Sequence, residues 1–194
     1  MITVGINDQM DSMILEQELM MVTPQRREKA LAFKHEQGRR LSVAAFRLLQ
    51  TELEEKFHIS GDLTFGYADN GKPFLLHYPQ LDFSLSHCSK GVACAISDEC
   101  PVGIDIERIR NYNRQLAERV LSAEELEATE SHPHPDVAFI ELWTRKEALL
   151  KMTGEGIRDD LRKVLYGPLC ESVEWTTTIK QERGWICTIA AQKR

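Results

Sequence analysis

The sequence predicts a mixed α+β protein made of two similar α+β units that follow one another along the chain. The order strand, helices, strands occurs twice. The length of 194 residues exceeds the usual domain size of about 100–150 residues but is too short for two such domains. The plainest linker, residues 98–101, lies near the midpoint and ends in Pro101. We therefore expect an N-terminal subdomain over residues 1–98 and a C-terminal subdomain over residues 99–194.

The first unit begins with a strand and continues with helices. Residues 2–6 alternate β-branched and small side chains, which predicts an edge strand. Thr23 followed by Pro24 is a helix-start signal, because Thr23 can accept backbone N–H groups and Pro24 lacks the N–H that would go unpaired. Apolar residues then recur at helical spacing with an interruption at Gly38, which predicts two consecutive helices.

Short strands are predicted in the middle of the chain. The turn signal Asn70-Gly71-Lys72-Pro73 precedes them, because Gly71 supplies a positive φ and Pro73 disfavours helix. Residues 83–86, 91–96 and 102–107 are alternating or apolar runs with tight links. This arrangement predicts an antiparallel meander.

The second unit shows helix signals followed by strands. Ser122 and Glu125 form a capping box that opens a helix ending near residues 132–135. Asp136 is then expected to cap the longest helix of this half, with Gly154 as its stop. Residues 173–179 and 185–190 alternate as a closing pair of strands.

Composition excludes several classes of protein. Hydrophobic residues make up 42% and charged residues 28%, as in ordinary globular chains with a packed core. The net charge is -6, from 24 basic and 30 acidic residues, which is the wrong sign for a protein that neutralises nucleic-acid phosphates. Basic residues cluster only locally, around Arg26, Lys29 and Arg40, so a small anionic ligand is still compatible with the sequence.

Sequence signals for export and membrane insertion are missing. No apolar run approaches the ~20 residues that span a bilayer, and the first residues lack the pattern of a secretory signal. The 5 cysteines form no C-x-x-C pair, which disfavours a disulfide framework and a zinc knuckle. We therefore expect reduced thiols and a cytosolic location.

Asp105 and Glu107 form the most informative pair. Alternate residues of a strand share one face, so these carboxylates lie together while Ile104 and Ile106 are buried on the other side. Two such carboxylates repel each other unless a cation lies between them, and Mg²⁺ prefers oxygen ligands of this kind. The alternative is a pair of ordinary solvated acids, and the two interpretations are equally compatible with this pair alone.

Glu147 and Lys151 are four residues apart on a predicted helix and project from the same side. A solvated helix salt bridge is the commoner explanation of such a spacing. Trp143, one turn earlier, is expected to be a core anchor.

Ser86, His87 and Lys72 are donors that can hold phosphate. A Ser–His hydrolase is disfavoured because neighbouring strand residues point apart and no G-x-S-x-G elbow is present.

Taken in order, four stretches resemble one family, the 4'-phosphopantetheinyl transferases of the surfactin-synthetase-activating (Sfp) type. They are Asn70-Gly71-Lys72-Pro73, Phe83-Ser84-Leu85-Ser86-His87, Gly103-Ile104-Asp105-Ile106-Glu107 and Trp143-Thr144-Arg145-Lys146-Glu147-Ala148-Leu149-Leu150-Lys151. The resemblance implies two pseudo-symmetric α+β halves with coenzyme A and Mg²⁺ in the cleft between them. It also implies Mg²⁺-dependent transfer of the phosphopantetheine arm from coenzyme A to a serine of an acyl or peptidyl carrier protein, with release of adenosine 3',5'-bisphosphate.

The resemblance also assigns roles to individual residues. The metal ligands would be Asp105, Glu107 and Glu147, with Glu107 binding directly or through water. Glu147 would help remove the serine proton, and Lys151 would stabilise or protonate the departing phosphate. The remaining assignments concern coenzyme A: Ser86 and His87 at its phosphates, Lys72 over the nucleotide, and Arg26, Lys29 and Arg40 at the 3'-phosphate.

Two other functions stay open from the residues alone. One is a non-catalytic module that binds coenzyme A or a carrier protein, although such a module would need neither the acid nor the base. The other is a metal-dependent phosphoesterase that uses the same carboxylates. We expect a monomer, because both sides of the predicted cleft lie in one chain.

Overall fold

The structure is a computed structural model that describes residues 1–9, 13–156 and 160–193. It confirms the mixed α+β class. The strands are β1 (Ile2–Asn7), β2 (Phe65–Tyr67), β3 (Pro73–Leu75), β4 (Asp82–Cys88), β5 (Gly91–Ser97), β6 (Val102–Arg108), β7 (Val173–Lys180) and β8 (Trp185–Gln192). The α-helices are α1 (Leu15–Met20), α2 (Pro24–Leu31), α3 (Glu36–Phe57), α4 (Arg114–Val120), α5 (Ala123–Glu130), α6 (Pro135–Thr153) and α7 (Pro168–Glu171).

The first sheet has the antiparallel order β1-β5-β4, and helix α3 packs on it. Strand β1 lies at its edge, as predicted. Every residue of β5 is buried, because this central strand is covered on both faces. Leu49 and Leu53 of α3 meet Phe83, Cys94 and Ile96 of the sheet in one apolar cluster.

The second sheet has the antiparallel order β6-β8-β7, and helix α6 crosses it. Its core joins Ile140 and Leu149 of α6 to Val173, Ile186 and Ala190 of the sheet. Ile104 and Ile106 are buried on the face of β6 away from α6, as their alternation predicted. Each of the two larger sheets draws its strands from one side of residues 98–101, while the division into subdomains stays a prediction.

The predicted three-stranded meander is wrong in its third strand. Strands β4 and β5 form a hairpin, but β6 pairs with β8. Along the edge of β6 that faces β4, backbone amides donate to side chains of β4 instead of to its backbone carbonyls. The bonds run from Val102 N to Asp82 Oδ2 (2.7 Å), from Ile104 N to Ser84 Oγ (3.1 Å) and from Ile106 N to Ser86 Oγ (3.2 Å). The polar alternation of β4 therefore joins the two sheets.

Two predicted helix boundaries need correction. The break between α2 and α3 lies at residues 32–35, and Gly38 stands inside α3, where a Cβ would lie only 3.0 Å from the ring of Phe33. The glycine therefore permits close packing instead of ending the helix. Helix α6 begins after His134 with Pro135 in its first turn, so Asp136 is a first-turn acid and not the cap.

Other local predictions are confirmed. Gly71 and Gly154 have φ values of 83° and 74°, which favour glycine in the turn and at the end of α6. The Ser122–Glu125 capping box is formed, and all five cysteines are free thiols. Among the described residues, no helix has the length and apolar character needed to cross a membrane.

Candidate active site

Helix α6 lies against β6 because Gly103 has no side chain. A Cβ at Gly103 would overlap the carbonyl oxygen of Ala148 and the amide nitrogen of Met152. Gly103 and Asp105 share one face of β6. The close approach therefore brings the helix turn that carries Glu147 and Lys151 over the carboxylate of Asp105.

Asp105 is at the centre of the site and is only 4% exposed. Its Oδ1 accepts hydrogen bonds from Lys151 Nζ at 2.6 Å and from Ser86 Oγ at 2.7 Å. Lys151 Nζ also donates to Ser86 Oγ at 2.9 Å. The other carboxylate oxygen, Oδ2, is buried without a hydrogen-bond partner. A buried anionic oxygen without a partner is costly, so this oxygen is available to a cation.

Glu147 repeats this feature. Its Oε1 is buried and has no hydrogen-bond partner. Burial raises the pKa of Glu147, and the negative charge of Asp105 raises it further, while Lys151 lowers it. Burial and the charge of Asp105 likewise raise the pKa of Glu107. Arg110 and Lys151 oppose the shift at Glu107, but the three carboxylates outnumber these two cations, which leaves the acidic group short of positive charge.

The donor set suits a hard divalent cation such as Mg²⁺, which takes carboxylate oxygens and fills its remaining positions with water and phosphate. Asp105 and Glu147 each offer an unpartnered buried oxygen, so the residues fit a metal ion. In the side-chain positions seen here, no three His, Cys, Asp or Glu residues within the described ranges form a complete metal-binding group. The fit therefore rests on the chemistry of the oxygens and not on a closed coordination sphere.

A cleft lies beside these residues. A cavity of about 330 Å³ has the 70–73 turn and residues of β4 on one side and Glu147, Leu150 and Lys151 of α6 on the other. A second cavity of about 520 Å³ reaches Arg26, Lys29 and Tyr67. The two cavities share Pro73, Phe83 and Leu85 as lining residues, so they are neighbours, and the two together are called the groove.

The far end of this groove holds two of the three predicted basic residues. Arg26 lies over the ring of Phe46 at 5.1 Å and donates to Ser42 Oγ at 2.8 Å. Its Nε is buried without a partner, and burial lowers its pKa. Lys29 Nζ donates to the hydroxyl of Tyr67 at 2.8 Å.

Arg40, the third predicted basic residue, lies elsewhere. Its Nε donates to Glu36 Oε1 at 2.9 Å, and its Nη1 donates to the carbonyl of Met13. It lines neither part of the groove.

Lys72 and His87 are the two remaining predicted phosphate donors. Lys72 lines the cavity, but its Nζ donates to Asp82 Oδ2 at 2.7 Å and to the carbonyl of Met152 at 3.1 Å. His87 follows Ser86 on β4, and desolvation of its ring lowers its pKa. The positive charge of Lys151 adds to that effect, while the negative charge of Asp105 opposes it. His87 is exposed and lines neither cavity.

The sequence did not reveal the residues that support the site from behind. Lys146, inside the helical motif, is 1% exposed and donates to both carboxylate oxygens of Glu125, at 3.0 and 2.8 Å. The signal for this contact was Glu125, whose place in a capping box fixes it beside the buried face of α6. Trp143 packs against the core next to Phe139, as expected of an anchor.

Comparisons with known proteins bear on this site. Residues 101–190 match the family model of the 4'-phosphopantetheinyl transferase superfamily. A 4'-phosphopantetheinyl transferase of Bacillus subtilis is 30% identical over 148 residues, which is 73% of this chain and 65% of that protein. The psf-1 transferase of Bacillus pumilus is 41% identical over 97 residues, which is 49% of this chain and 41% of that protein.

The 4'-phosphopantetheinyl transferase Sfp of Bacillus subtilis (strain 168) is 29% identical over 146 residues, which is 73% of this chain and 64% of that protein. The chain thus spans less than two thirds of the length of each of these relatives. The matched region contains Asp105, Glu107, Glu147 and Lys151. The chain is therefore similar to Sfp-type 4'-phosphopantetheinyl transferases, and residues 101–190 match the model of that superfamily.

Proposed function

We propose that the protein transfers the 4'-phosphopantetheine arm of coenzyme A to a serine of an apo acyl or peptidyl carrier protein and releases adenosine 3',5'-bisphosphate. The observation that carries this proposal is the pair of buried, unpartnered oxygens, Asp105 Oδ2 and Glu147 Oε1. Glu147 and Lys151 line the groove, and Asp105 lies behind them in contact with Lys151. The match to the superfamily model supports the choice of reaction. Transfer of a phosphoryl group is helped by a bound cation and by a positively charged side chain near the departing oxygen. The carboxylates and the ammonium of Lys151 can supply both.

The groove suits an elongated anionic ligand. Its far end offers Arg26 and Lys29, which we assign to the 3'-phosphate of coenzyme A. Phe83 and Leu85 supply apolar wall where the two cavities meet. Ser86 Oγ accepts from Lys151 Nζ, and we assign Ser86, with His87 next to it on β4, to the pyrophosphate. Arg40 lines neither cavity, so we leave it out of the binding set.

We assign Asp105, Glu107 and Glu147 as the residues that hold Mg²⁺. When bound, this ion would neutralise the negative charge on the pyrophosphate oxygens during transfer. Glu147 lines the groove beside Lys151, so we also assign it to accept the serine proton, directly or through a metal-bound water. The serine oxygen then bonds to phosphorus as the bond from phosphorus to the bridging anhydride oxygen breaks. Lys151 donates a hydrogen bond or proton to that departing oxygen.

Both walls of the groove come from one chain, which supports a monomer, and light scattering would test it. The free thiols support a reducing compartment, so we propose that the reaction takes place in the cytosol.

The decisive experiment is a carrier-modification assay. Purified protein, Mg²⁺ and coenzyme A are incubated with apo carriers from fatty-acid and peptide synthetases, and the carriers are weighed by mass spectrometry. We expect a gain of one phosphopantetheine group on at least one carrier. No gain on any carrier that a characterised transferase modifies in parallel would reject the proposal. Release of phosphopantetheine without a carrier would identify a phosphoesterase, and ligand binding without either product would identify a binding module.

A further inference from the structure

We propose that Lys72 is a positioning residue, which joins the turn between β2 and β3 to the last turn of helix α6 and so holds Lys151 in the groove. The contact itself is independent of the proposed function, while its effect on turnover rests on that function. The resemblance had assigned Lys72 to the nucleotide, so the two roles make different predictions.

The contacts of Lys72 connect three elements. Its Nζ donates to Asp82 Oδ2 of β4 at 2.7 Å and to the carbonyl of Met152 in α6 at 3.1 Å. The same Asp82 oxygen accepts the amide of Val102, the first residue of β6, at 2.7 Å. The Lys72 side chain is only 16% exposed. If Lys72 paired with a ligand phosphate, it would have to break its ion pair with the partly buried carboxylate of Asp82. Breaking such a pair costs more free energy than breaking a solvated one.

A second contact between the same turn and helix involves Asn70. A Cβ at Gly154, the residue that ends α6, would overlap the side-chain amide of Asn70. Asn70 Oδ1 also accepts the amide of Lys72 at 3.1 Å, which stabilises the turn itself. The turn is therefore a preformed surface against which the end of α6 lies.

The consequence for the site follows from the position of Met152 in the helix. The last four carbonyl groups of a helix have no partner within it, and Met152 lies in that last turn. An ammonium at a helix C-terminus also interacts favourably with the helix dipole. Lys151, one residue earlier, directs its Nζ to Asp105 and Ser86. Anchoring the last turn therefore fixes the base of the Lys151 side chain.

A double-mutant cycle tests the contact without any substrate. Lys72→Met, Asp82→Asn and the double variant are compared by thermal unfolding, with Lys90→Met as the matched control in an exposed turn. We expect each single change to lower Tm by roughly 3–8 °C. The double variant should lose less stability than the sum of the two single changes, because both changes remove the Lys72–Asp82 pair. Additive losses of Tm would overturn the proposal.

Two further readouts separate positioning from simple stability. Hydrogen exchange of the peptide that covers the end of α6 should accelerate in Lys72→Met but not in Lys90→Met, and equal protection would overturn the proposal. In the transfer assay, kcat should fall about 10-fold while KM for coenzyme A stays within about twofold, with Lys72→Arg recovering part of the loss.

A nucleotide-binding role for Lys72 predicts the opposite kinetic result. Lys72→Met would then raise KM for coenzyme A about 10-fold or more, while Asp82→Asn would leave KM unchanged or lower it by freeing the lysine. That pattern would overturn the positioning role. If the wild-type protein transfers nothing, the proposed function fails, but the unfolding cycle and hydrogen exchange still decide whether the contact exists.

Discussion

Two lysines of helix α6, Lys146 and Lys151, show how a structural ion pair differs from a functional one. Lys146 is buried and donates to both oxygens of Glu125 and to the carbonyl of Leu161 at 3.0 Å. All of its donors have protein partners. Lys151 is 30% exposed and pairs with Asp105, an acid that keeps one oxygen without any partner.

Charged residues at different positions of the helical motif therefore have different roles. The Lys146 pair is complete, so it stabilises the packing of α5 against α6 and has no capacity left for a ligand. The Lys151 pair is incomplete, and it lies beside a second carboxylate, Glu147, with the same deficiency. Incomplete pairing of buried acids beside a groove is the physical signature of the candidate site.

The largest expected effect comes from Glu147, which lies between the two lysines in the sequence. Glu147→Gln removes the proposed base and a metal-holding oxygen while keeping the side-chain shape. We expect transfer to fall by at least about 10³-fold, equivalent to about 4 kcal/mol in the barrier. The measurement is the initial rate of mass gain on an apo carrier.

Glu141→Gln is the matched control, because Glu141 lies on the same helix and pairs with Arg145 at 2.9 Å outside the groove lining. Its rate should stay within about twofold of wild type. If Glu147→Gln kept near-normal turnover, Glu147 would have neither assigned role.

The second effect is on stability and concerns the complete pair. Lys146→Met leaves the carboxylate of Glu125 without its buried partner, so we expect the free energy of unfolding to fall by about 3 kcal/mol. Urea denaturation without metal measures it. Adding Glu125→Gln should restore part of the loss, because no unpaired charge then remains and glutamine preserves the capping box. A loss below about 1 kcal/mol would mean that the pair is not a structural anchor.

Local sequence patterns predicted much of the fold because their causes are local. The Ser122–Glu125 capping box, the turn at Gly71 and the stop at Gly154 each depend on a few neighbouring residues, and all three are present. The third strand of the meander was wrong because its pairing depends on distant groups. The hydroxyls of Ser84 and Ser86 accept hydrogen bonds from backbone amides of β6 that would otherwise pair with the backbone of β4. No local sequence pattern indicates these bonds.

The candidate site divides in the same way. Asp105 was predicted to share a strand face with Glu107, but its contacts with Lys151 and Ser86 come from the approach of α6 at Gly103. The family resemblance predicted that these residues form one site, whereas their spacing in the sequence did not. It placed Lys72 over the nucleotide, whereas the contacts of Lys72 with Asp82 and Met152 are visible only in three dimensions.

The third effect concerns Lys151 as a competitor of the metal ion. Its ammonium lies 2.6 Å from Asp105 Oδ1, so it compensates the charge that a divalent cation would compensate. Lys151→Met should therefore bind Mn²⁺ about 5–10-fold more tightly in a calorimetric titration, although transfer is lost. Lys180→Met, a change at an exposed position of β7, is the control and should bind like wild type. Equal or weaker binding by Lys151→Met would show that the lysine does not oppose the cation.

The smallest expected effect is a pH dependence of the metal-free protein. Burial and neighbouring charge raise the pKa of Glu107 from an ordinary value of 4.5, so the folded state favours its protonated form. Such an acid contributes stability below its unfolded pKa, and that contribution is lost as the pH rises through the higher folded value. Glu107→Gln should therefore gain roughly 1–3 °C in Tm over wild type at pH 8, with the gain vanishing toward pH 4. Mg²⁺ should reduce the difference in Tm between the two proteins at pH 8, because it compensates the negative charge of the wild-type site. If the two Tm curves stay parallel from pH 4 to pH 8, Glu107 is not part of the acidic group around Asp105.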